Sequence, residues 1–171
     1  MKTFVMIPTY NESENIKTLI DKIMKLKINN LHVVVVDDNS PDGTANEVQK
    51  ISKAKKKVHL LLRKSDKGRG AAGKAGFIYC LNHNADIIIE MDADMSHDPK
   101  YIPSMIKELK NADLILGSRR IAGGNELGRS IFRKFVTLVA NLYIRLMLGI
   151  KIKDCNSGFR CFKRKVLEGI N

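Results

Sequence analysis

The chain has 171 residues, 44% hydrophobic and 28% charged, an ordinary globular balance with room for one α/β domain and its core. Its formal net charge of +12 points to an anionic partner, but aromatic content of only 6% and the lack of any nucleic-acid-binding signature argue against a nucleic acid as that partner. No uncharged apolar run reaches 18 residues, the N-terminus runs straight into a strand-like segment, and Cys80, Cys155 and Cys161 form neither an even framework nor a C-x-x-C; these features argue against a transmembrane helix, a signal peptide, a disulfide scaffold and a zinc site, and favour reduced thiols in a cytosolic protein.

Apolar β-like runs alternate with helical patterns along the chain. Phe4-Val5-Met6-Ile7 reads as a buried strand. Asn11 and Glu14 stand at cap-like spacing before a helix with Ile16, Leu19, Ile20, Ile23 and Met24 on one face. Val33 to Val36 is a second strand, and Thr44-Ala45-Asn46-Glu47 has the form of a capping box opening a second helix. His59-Leu60-Leu61-Leu62 is a third strand, followed by a glycine-rich turn and a helix over roughly residues 70–83. Ile87-Ile88-Ile89 is the fourth strand. Asp98-Pro99 then caps a helix that runs to about Leu109, with an irregular start expected from Pro103. Leu114-Ile115-Leu116 is a fifth strand. Such alternation of wholly apolar strands with helices predicts a Rossmann-like, mainly parallel sheet covered on both faces.

Three strand ends carry polar clusters: Pro8-Thr9-Tyr10-Asn11-Glu12, Asp37-Asp38-Asn39-Ser40-Pro41-Asp42-Gly43, and Met91-Asp92-Ala93-Asp94-Met95-Ser96-His97-Asp98. In a parallel sheet the ends of successive strands share one edge, where open α/β folds bind ligands. The Asp92/Asp94 pair offers hard oxygen ligands suited to Mg²⁺ or Mn²⁺ carrying a diphosphate. Asp38 could accept from a base or a ribose hydroxyl, and Tyr10 could pack on a nucleoside; Asn39 and Asp42 read better as turn and cap residues. Gly68, Gly70 and Gly73 match G-x-G-x-x-G by letter, but they follow the third strand rather than the first, so a turn with close helix packing is the better reading.

These clusters, together with Asp66-Lys67-Gly68, Gly117-Ser118-Arg119 and Asp154-Cys155-Asn156-Ser157-Gly158-Phe159-Arg160, occur in the order that resembles family 2, GT-A-fold glycosyltransferases, and most of all the dolichyl-phosphate or polyprenyl-phosphate mannosyltransferases. The resemblance spans residues 5–165. It implies a nucleotide pocket at Pro8, Tyr10, Glu12, Val36 and Asp38. It also implies a metal–diphosphate motif at Asp92, Ala93 and Asp94, with Asp94 the direct metal ligand. Arg119 corresponds to an arginine that contacts donor or acceptor phosphate, and Arg133 to a basic position near the acceptor phosphate. Where some members carry a metal-reaching Gln, this chain has the shorter Ser96. The subgroup also has a later Arg and a Gly-x-Ser-Lys segment that close over the donor, and nothing in these 171 residues matches it.

The activity so implied is metal-dependent, inverting transfer of mannose from GDP-mannose to a dolichyl or polyprenyl phosphate at the cytoplasmic membrane face. The alternatives are the same chemistry with UDP-glucose or a UDP-N-acetylhexosamine, and a nucleotide-sugar- or membrane-binding module without catalysis. Residues 1–128 read as the nucleotide-sugar-binding core and 129–171 as an acceptor and membrane-interface extension. The charge is divided accordingly: residues 99–171 hold 15 Lys and Arg against 5 Asp and Glu, whereas residues 1–98 hold 15 against 13. Between Ser130 and Gly149, Phe132, Phe135, Val136, Val139, Leu142, Tyr143, Leu146 and Met147 follow helical spacing opposite Arg129, Arg133, Lys134, Asn141 and Arg145. A basic amphipathic helix of this kind can lie in a membrane interface; the alternative is a core-packing helix with a solvated basic face.

Overall fold

A computed structural model describes residues 1–118, 131–152, 154, 155 and 157–169, with only the backbone of residues 131–135. In chain order the elements are β1 (Thr3–Thr9), α1 (Ser13–Met24), β2 (Leu31–Asp37), α2 (Thr44–Ala54), β3 (Val58–Leu62), α3 (Arg69–Asn82), β4 (Ile87–Glu90), a 3₁₀ turn (Pro99–Tyr101), α4 (Ile102–Glu108), β5 (Leu114–Leu116), α5 (Ile131–Leu148), β6 (Arg160–Lys163) and α6 (Arg164–Glu168). The chain divides into two units, one of Met1–Ile115 with the segment from Phe159 onward, the other of Leu116–Gly158. The sheet segment β6 therefore belongs with the first unit, although sequence alone groups it with the residues from 129 on.

The sheet order is β3-β2-β1-β4-β6-β5. Strands β3, β2, β1 and β4 are parallel, and β6 runs antiparallel to β4 with Ile88 opposite Phe162. Every residue of β1 and β4 is buried, as expected of strands covered on both faces. The period of two splits their side chains between two cores. Val5, Ile7, Val33, Val35, Ile87 and Ile89 meet Ile16, Leu19, Ile20 and Ile23 of α1, Val48 of α2, and Ile102 and Met105 of α4. Phe4, Met6, Val34, Val36, Ile88 and Phe162 meet Ala72 and Cys80 of α3 and Leu167 of α6.

Helix α3 lies close to the sheet because Gly76 carries no Cβ: one built there would stand 2.6 Å from Met6 Cγ and 3.0 Å from Val36 Cγ2. Burial pushes the thiols of Cys80 and Cys161 up to about 12, so both are protonated core groups at neutral pH.

Two helix starts differ from the sequence reading. The Thr44–Glu47 capping box does not form: Gly43, at φ +91°, is the N-cap residue, and Asp42 Oδ1 accepts the Thr44 N–H at 3.0 Å and its hydroxyl at 2.6 Å. Helix α1 starts after Glu12, not after a cap at Asn11, because Asn11 is left-handed at φ +60° and donates its N–H to Ser40 Oγ. The start at Asp98 follows the sequence: Asp98 Oδ1 accepts from Lys100 N–H, and the Pro-containing first turn is 3₁₀ before α4 begins.

In the second unit, α5 presents its apolar residues outward. Val136, Leu138, Val139 and Leu142 are about half exposed, and Tyr143, Leu146, Met147 and Leu148 more so. Asn141, expected on the polar side, is instead buried, donating Nδ2–H to the Thr137 carbonyl and accepting the Cys155 N–H at 2.7 Å. A buried amide needs partners, and the 154–155 turn supplies one. Among the described residues no helix is long and apolar enough to cross a membrane.

Candidate active site

The strand order turns around at β1. The chain moves outward through β2 and β3 and returns to place β4 on the other side, so the crevice outside β1 and β4 is the switch point of the sheet. A cleft of about 450 Å³ opens at the edge formed by the strands' C-terminal ends, lined by Pro8, Thr9, Tyr10, Asp38, Lys67, Gly68, Arg69 and Ala72. Tyr10 is 56% exposed, which leaves its ring available to a ligand.

Carboxylates hold the loops around this cleft. Asp37, fully buried, accepts the Ser40 N–H at 2.9 Å, the Ser40 hydroxyl at 2.6 Å and the Thr9 hydroxyl at 3.0 Å. Ser40 in turn accepts the Asn11 N–H, which ties the loop after β1 to the loop after β2. Asp42 adds a second tie, accepting the Ser13 N–H at 2.9 Å. Burial alone would raise the Asp42 carboxyl, but the hydrogen bonds from Thr44 and Ser13 outweigh it and hold the group at about 2.

Asp38, the sequence candidate for nucleotide contact, lines the cleft, but its oxygens already have partners. Oδ1 pairs with Arg63 Nη1 at 2.5 Å and Oδ2 accepts the Gly68 N–H at 2.6 Å. Arg63 also donates to the Asp66 carbonyl. Asp38 thereby pins the 63–68 loop into the cleft wall. Glu12 accepts from Asn15 Nδ2 and donates its own N–H to Thr44 Oγ1. Val36 is wholly buried beneath α3, so its side chain is core and not pocket.

The Asp92/Asp94 motif follows β4 directly. Ala93 is buried between the two acids, and Met95 takes a left-handed φ of +62° that turns the chain sharply. Asp94 is exposed, its Oδ1 accepting the Ser96 N–H at 3.0 Å. Asp92 is held from two sides. Its Oδ1 accepts from Arg69 Nη2 at 2.8 Å, and its N–H donates to His97 Nδ1 at 3.0 Å. That hydrogen bond puts the ring proton of neutral His97 on Nε2, and the ring stacks on Phe159 at 5.1 Å.

Arg69 also bonds Glu90 Oε1 at 2.8 Å. Partial burial lowers its basicity, but the Glu90 and Asp92 carboxylates outweigh that and raise it above the ordinary guanidinium value. Sequence reasoning passed over both Arg69 and Glu90. The available signal was the acid that ends Ile87-Ile88-Ile89-Glu90: a carboxylate in an all-apolar strand is buried, and a buried carboxylate needs a cation.

Among the described residues no group of three or more His, Cys, Asp or Glu could hold a metal alone. Two carboxylates on a tight turn beside an open cleft fit a hard divalent ion that completes its shell with phosphate oxygens and water. Arg119 lies outside the described residues. Arg133 lies on α5, with its side chain outside them.

Parallel strands around a switch-point cleft, with a D-x-D turn at its rim, define a GT-A glycosyltransferase fold. The Glycosyl transferase family 2 model matches residues 4–170, and the chain belongs to that family. It is 36% identical to the undecaprenyl-phosphate mannosyltransferase of Micrococcus luteus over all of this chain and 70% of that protein. It is 38% identical to the polyprenol monophosphomannose synthase of Mycolicibacterium smegmatis, and 38% identical to the dolichol-phosphate mannosyltransferase of Pyrococcus furiosus; each likeness covers 99% of this chain, and 64% and 48% of those proteins respectively. The chain thus spans between 48% and 70% of the length of these relatives. Among solved structures, the mannosyltransferase PcManGT of Pyrobaculum calidifontis, in complex with GDP-Man and Mn²⁺, has the same fold with a TM-score of 0.64 at 20% identity, over 98% of this chain and 46% of that one. Glucosyl-3-phosphoglycerate synthase of Mycobacterium tuberculosis, with Mn²⁺, UDP-glucose and glycerol 3-phosphate, matches at 0.70 and 21%, over 96% and 57%.

Proposed function

We propose that this chain forms the catalytic core of an enzyme that transfers mannose from GDP-mannose to a polyprenyl or dolichyl phosphate, with a divalent cation, Mg²⁺ or Mn²⁺, and inversion at the anomeric carbon. The observation that carries this reading is the Asp92/Asp94 turn, tied through Arg69 to a cleft that Lys67 and Arg69 line. The relatives named for polyprenyl- and dolichol-phosphate mannosyl transfer support this acceptor and this sugar.

Asp94 and Asp92 would hold the ion, which supplies Lewis-acid stabilisation of the leaving diphosphate. Pro8 and Tyr10 would flank the nucleoside while Asp37, Asp38 and Asp42 keep the loops in place around it. Lys67 and Arg69 would meet diphosphate charge in the cleft. A phosphate acceptor is anionic at neutral pH and needs little help from a general base. Its difficulty is repulsion by the donor, and Arg119 and Arg133 are the residues we assign to offset that repulsion. Displacement is then direct, and a glycosylated enzyme trapped in single turnover would refute it.

The exposed apolar residues of α5, beside Arg145, suit a bilayer interface. The core-packing alternative for this helix is disfavoured by the exposure of Leu142, Leu146 and Met147.

Calorimetric titration of GDP and UDP, with and without Mn²⁺, into the wild type and Asp94→Ala tests the donor site. Metal-dependent preference for GDP, lost in Asp94→Ala, is the expected result. Preference for UDP would move the donor to a UDP-sugar, and binding of neither would overturn the reading.

A further inference from the structure

Glu90 has no place in the chemistry above, yet it is a buried acid directly before the D-x-D turn. It is 5% exposed at the end of β4, and its Oε2 is the buried side-chain polar atom without a hydrogen-bond partner among the described residues, with Arg160 Nη1 at 3.8 Å. Its other oxygen holds Arg69 Nη1 at 2.8 Å. The pair packs on Gly73, where a Cβ would stand at ordinary contact distance, 3.7 Å from Glu90 Oε1 and 3.8 Å from Arg69 Nη1. Arg69 itself is half exposed and uses its second nitrogen on Asp92 Oδ1 at 2.8 Å. The fork of one guanidinium thus spans a buried anchor and a carboxylate of the D-x-D turn, while the same side chain lines the nucleotide cleft.

We propose that Glu90 and Arg69 are positioning residues that make metal binding and diphosphate binding depend on one another. This rests on the functional reading above and adds a mechanism of binding to it. Arg69 is the counter-cation of Asp92. A divalent ion arriving alone meets a neutralised carboxylate and a neighbouring positive charge, so it binds weakly. A diphosphate arriving with the ion adds negative charge that Arg69 attracts, and the repulsion is offset. Glu90 holds Arg69 in place, because Arg69 gives its buried carboxylate a direct hydrogen bond at 2.8 Å while Arg160 stands farther off at 3.8 Å. The outcome is positive coupling between the two ligands, which by linkage each must show toward the other.

The test is a binding cycle on the 171-residue chain. Mn²⁺ affinity is measured calorimetrically and by loss of the free-ion paramagnetic resonance signal, alone and with saturating GDP, and again with UDP. In the wild type we expect Mn²⁺ to bind more tightly with the nucleotide than without it. In Arg69→Ala, Mn²⁺ alone should bind more tightly than to wild type while the nucleotide binds more weakly, cutting the coupling by at least about fivefold, the low end of ordinary coupling between sites. Arg69→Lys keeps the charge but cannot span both carboxylates, and Glu90→Gln keeps the shape but loosens the anchor; both should fall between wild type and Arg69→Ala. If Arg69→Ala does not fold, as read by circular dichroism, Arg69→Lys decides by the same criterion. A coupling factor unchanged in these variants overturns the proposal and leaves the functional reading standing. A wild type that binds neither nucleoside diphosphate overturns both.

Discussion

Substituting Gly76 by alanine tests whether helix α3, which carries one wall of the cleft, is seated by close contact with the sheet. A Cβ at position 76 would meet Met6 Cγ at 2.6 Å, Met6 Sδ at 2.8 Å and Val36 Cγ2 at 3.0 Å. Both neighbours are fully buried, so neither can swing into solvent, and α3 or β1 must give way. Overpacking of this kind costs about 1–3 kcal/mol. Alanine recovers up to about 1 kcal/mol over glycine in a helix interior. With two Met6 atoms inside 3 Å the cost belongs in the upper part of its range, and the net is a loss of about 1–2 kcal/mol. For a chain of this size that lowers the midpoint of thermal unfolding by roughly 2–8 °C. The assay is thermal unfolding by circular dichroism, repeated in a Met6→Ala background. There the vacated space should accept the methyl, and Gly76→Ala should stabilise relative to Met6→Ala alone, a coupling of at least about 1 kcal/mol. A wild-type midpoint in the single variant, or additivity in the pair, would refute the reasoning.

Asp37→Ala should remove three hydrogen bonds from the loop after β2 and cost about 3 kcal/mol by urea denaturation, because the Thr9 and Ser40 donors lose their buried acceptor; a loss below about 1 kcal/mol would show that water replaces it. Stability should also fall in acid through His32. Burial, with Lys2 and His59 nearby, lowers its imidazole to about 4 from an ordinary 6.5, so the folded chain holds it neutral. Its contribution is complete above pH 6.5 and is lost as pH falls toward 4, with a slope well under the roughly 1.4 kcal/mol per pH unit of one fully uncoupled proton, since the ring is partly solvated. His32→Phe should flatten that limb, and an unchanged pH profile would exclude this histidine as its source. For α5, flotation with anionic vesicles should carry the chain upward, and Leu146→Glu with Met147→Glu should abolish it; a chain that stays at the bottom of the gradient would rule out the bilayer contact.

The strands were legible because wholly apolar runs have one stable fate in an alternating α/β chain, a parallel sheet buried on both faces. Asp92 and Asp94 were legible for a related reason: polar residues that immediately follow such runs must emerge at one edge. Local chemistry at the helix starts was less so. The capping box at Thr44 obeys its pattern, yet Asp42 accepts the same hydroxyl and the pattern goes unused. Side-chain partners that depend on contacts more than twenty residues apart, such as Arg63 with Asp38 and Arg69 with Glu90 and Asp92, leave no periodic trace.

By itself, then, the sequence determined the order of the elements, the sheet edge at which the acidic pair emerges and the family resemblance, because each rests on neighbours in the chain. Only the tertiary structure decided that β6 enters the sheet antiparallel beside β4, that Asp38 is engaged in holding a loop, that Val36 is core, that Asn141 is buried while the apolar residues of α5 face outward, and that Arg69 spans Glu90 and Asp92. The physical reason is common to all of them. A charged or amide group is satisfied by whichever partner packing brings within about 3 Å, and that partner is chosen by the fold and not by position along the chain.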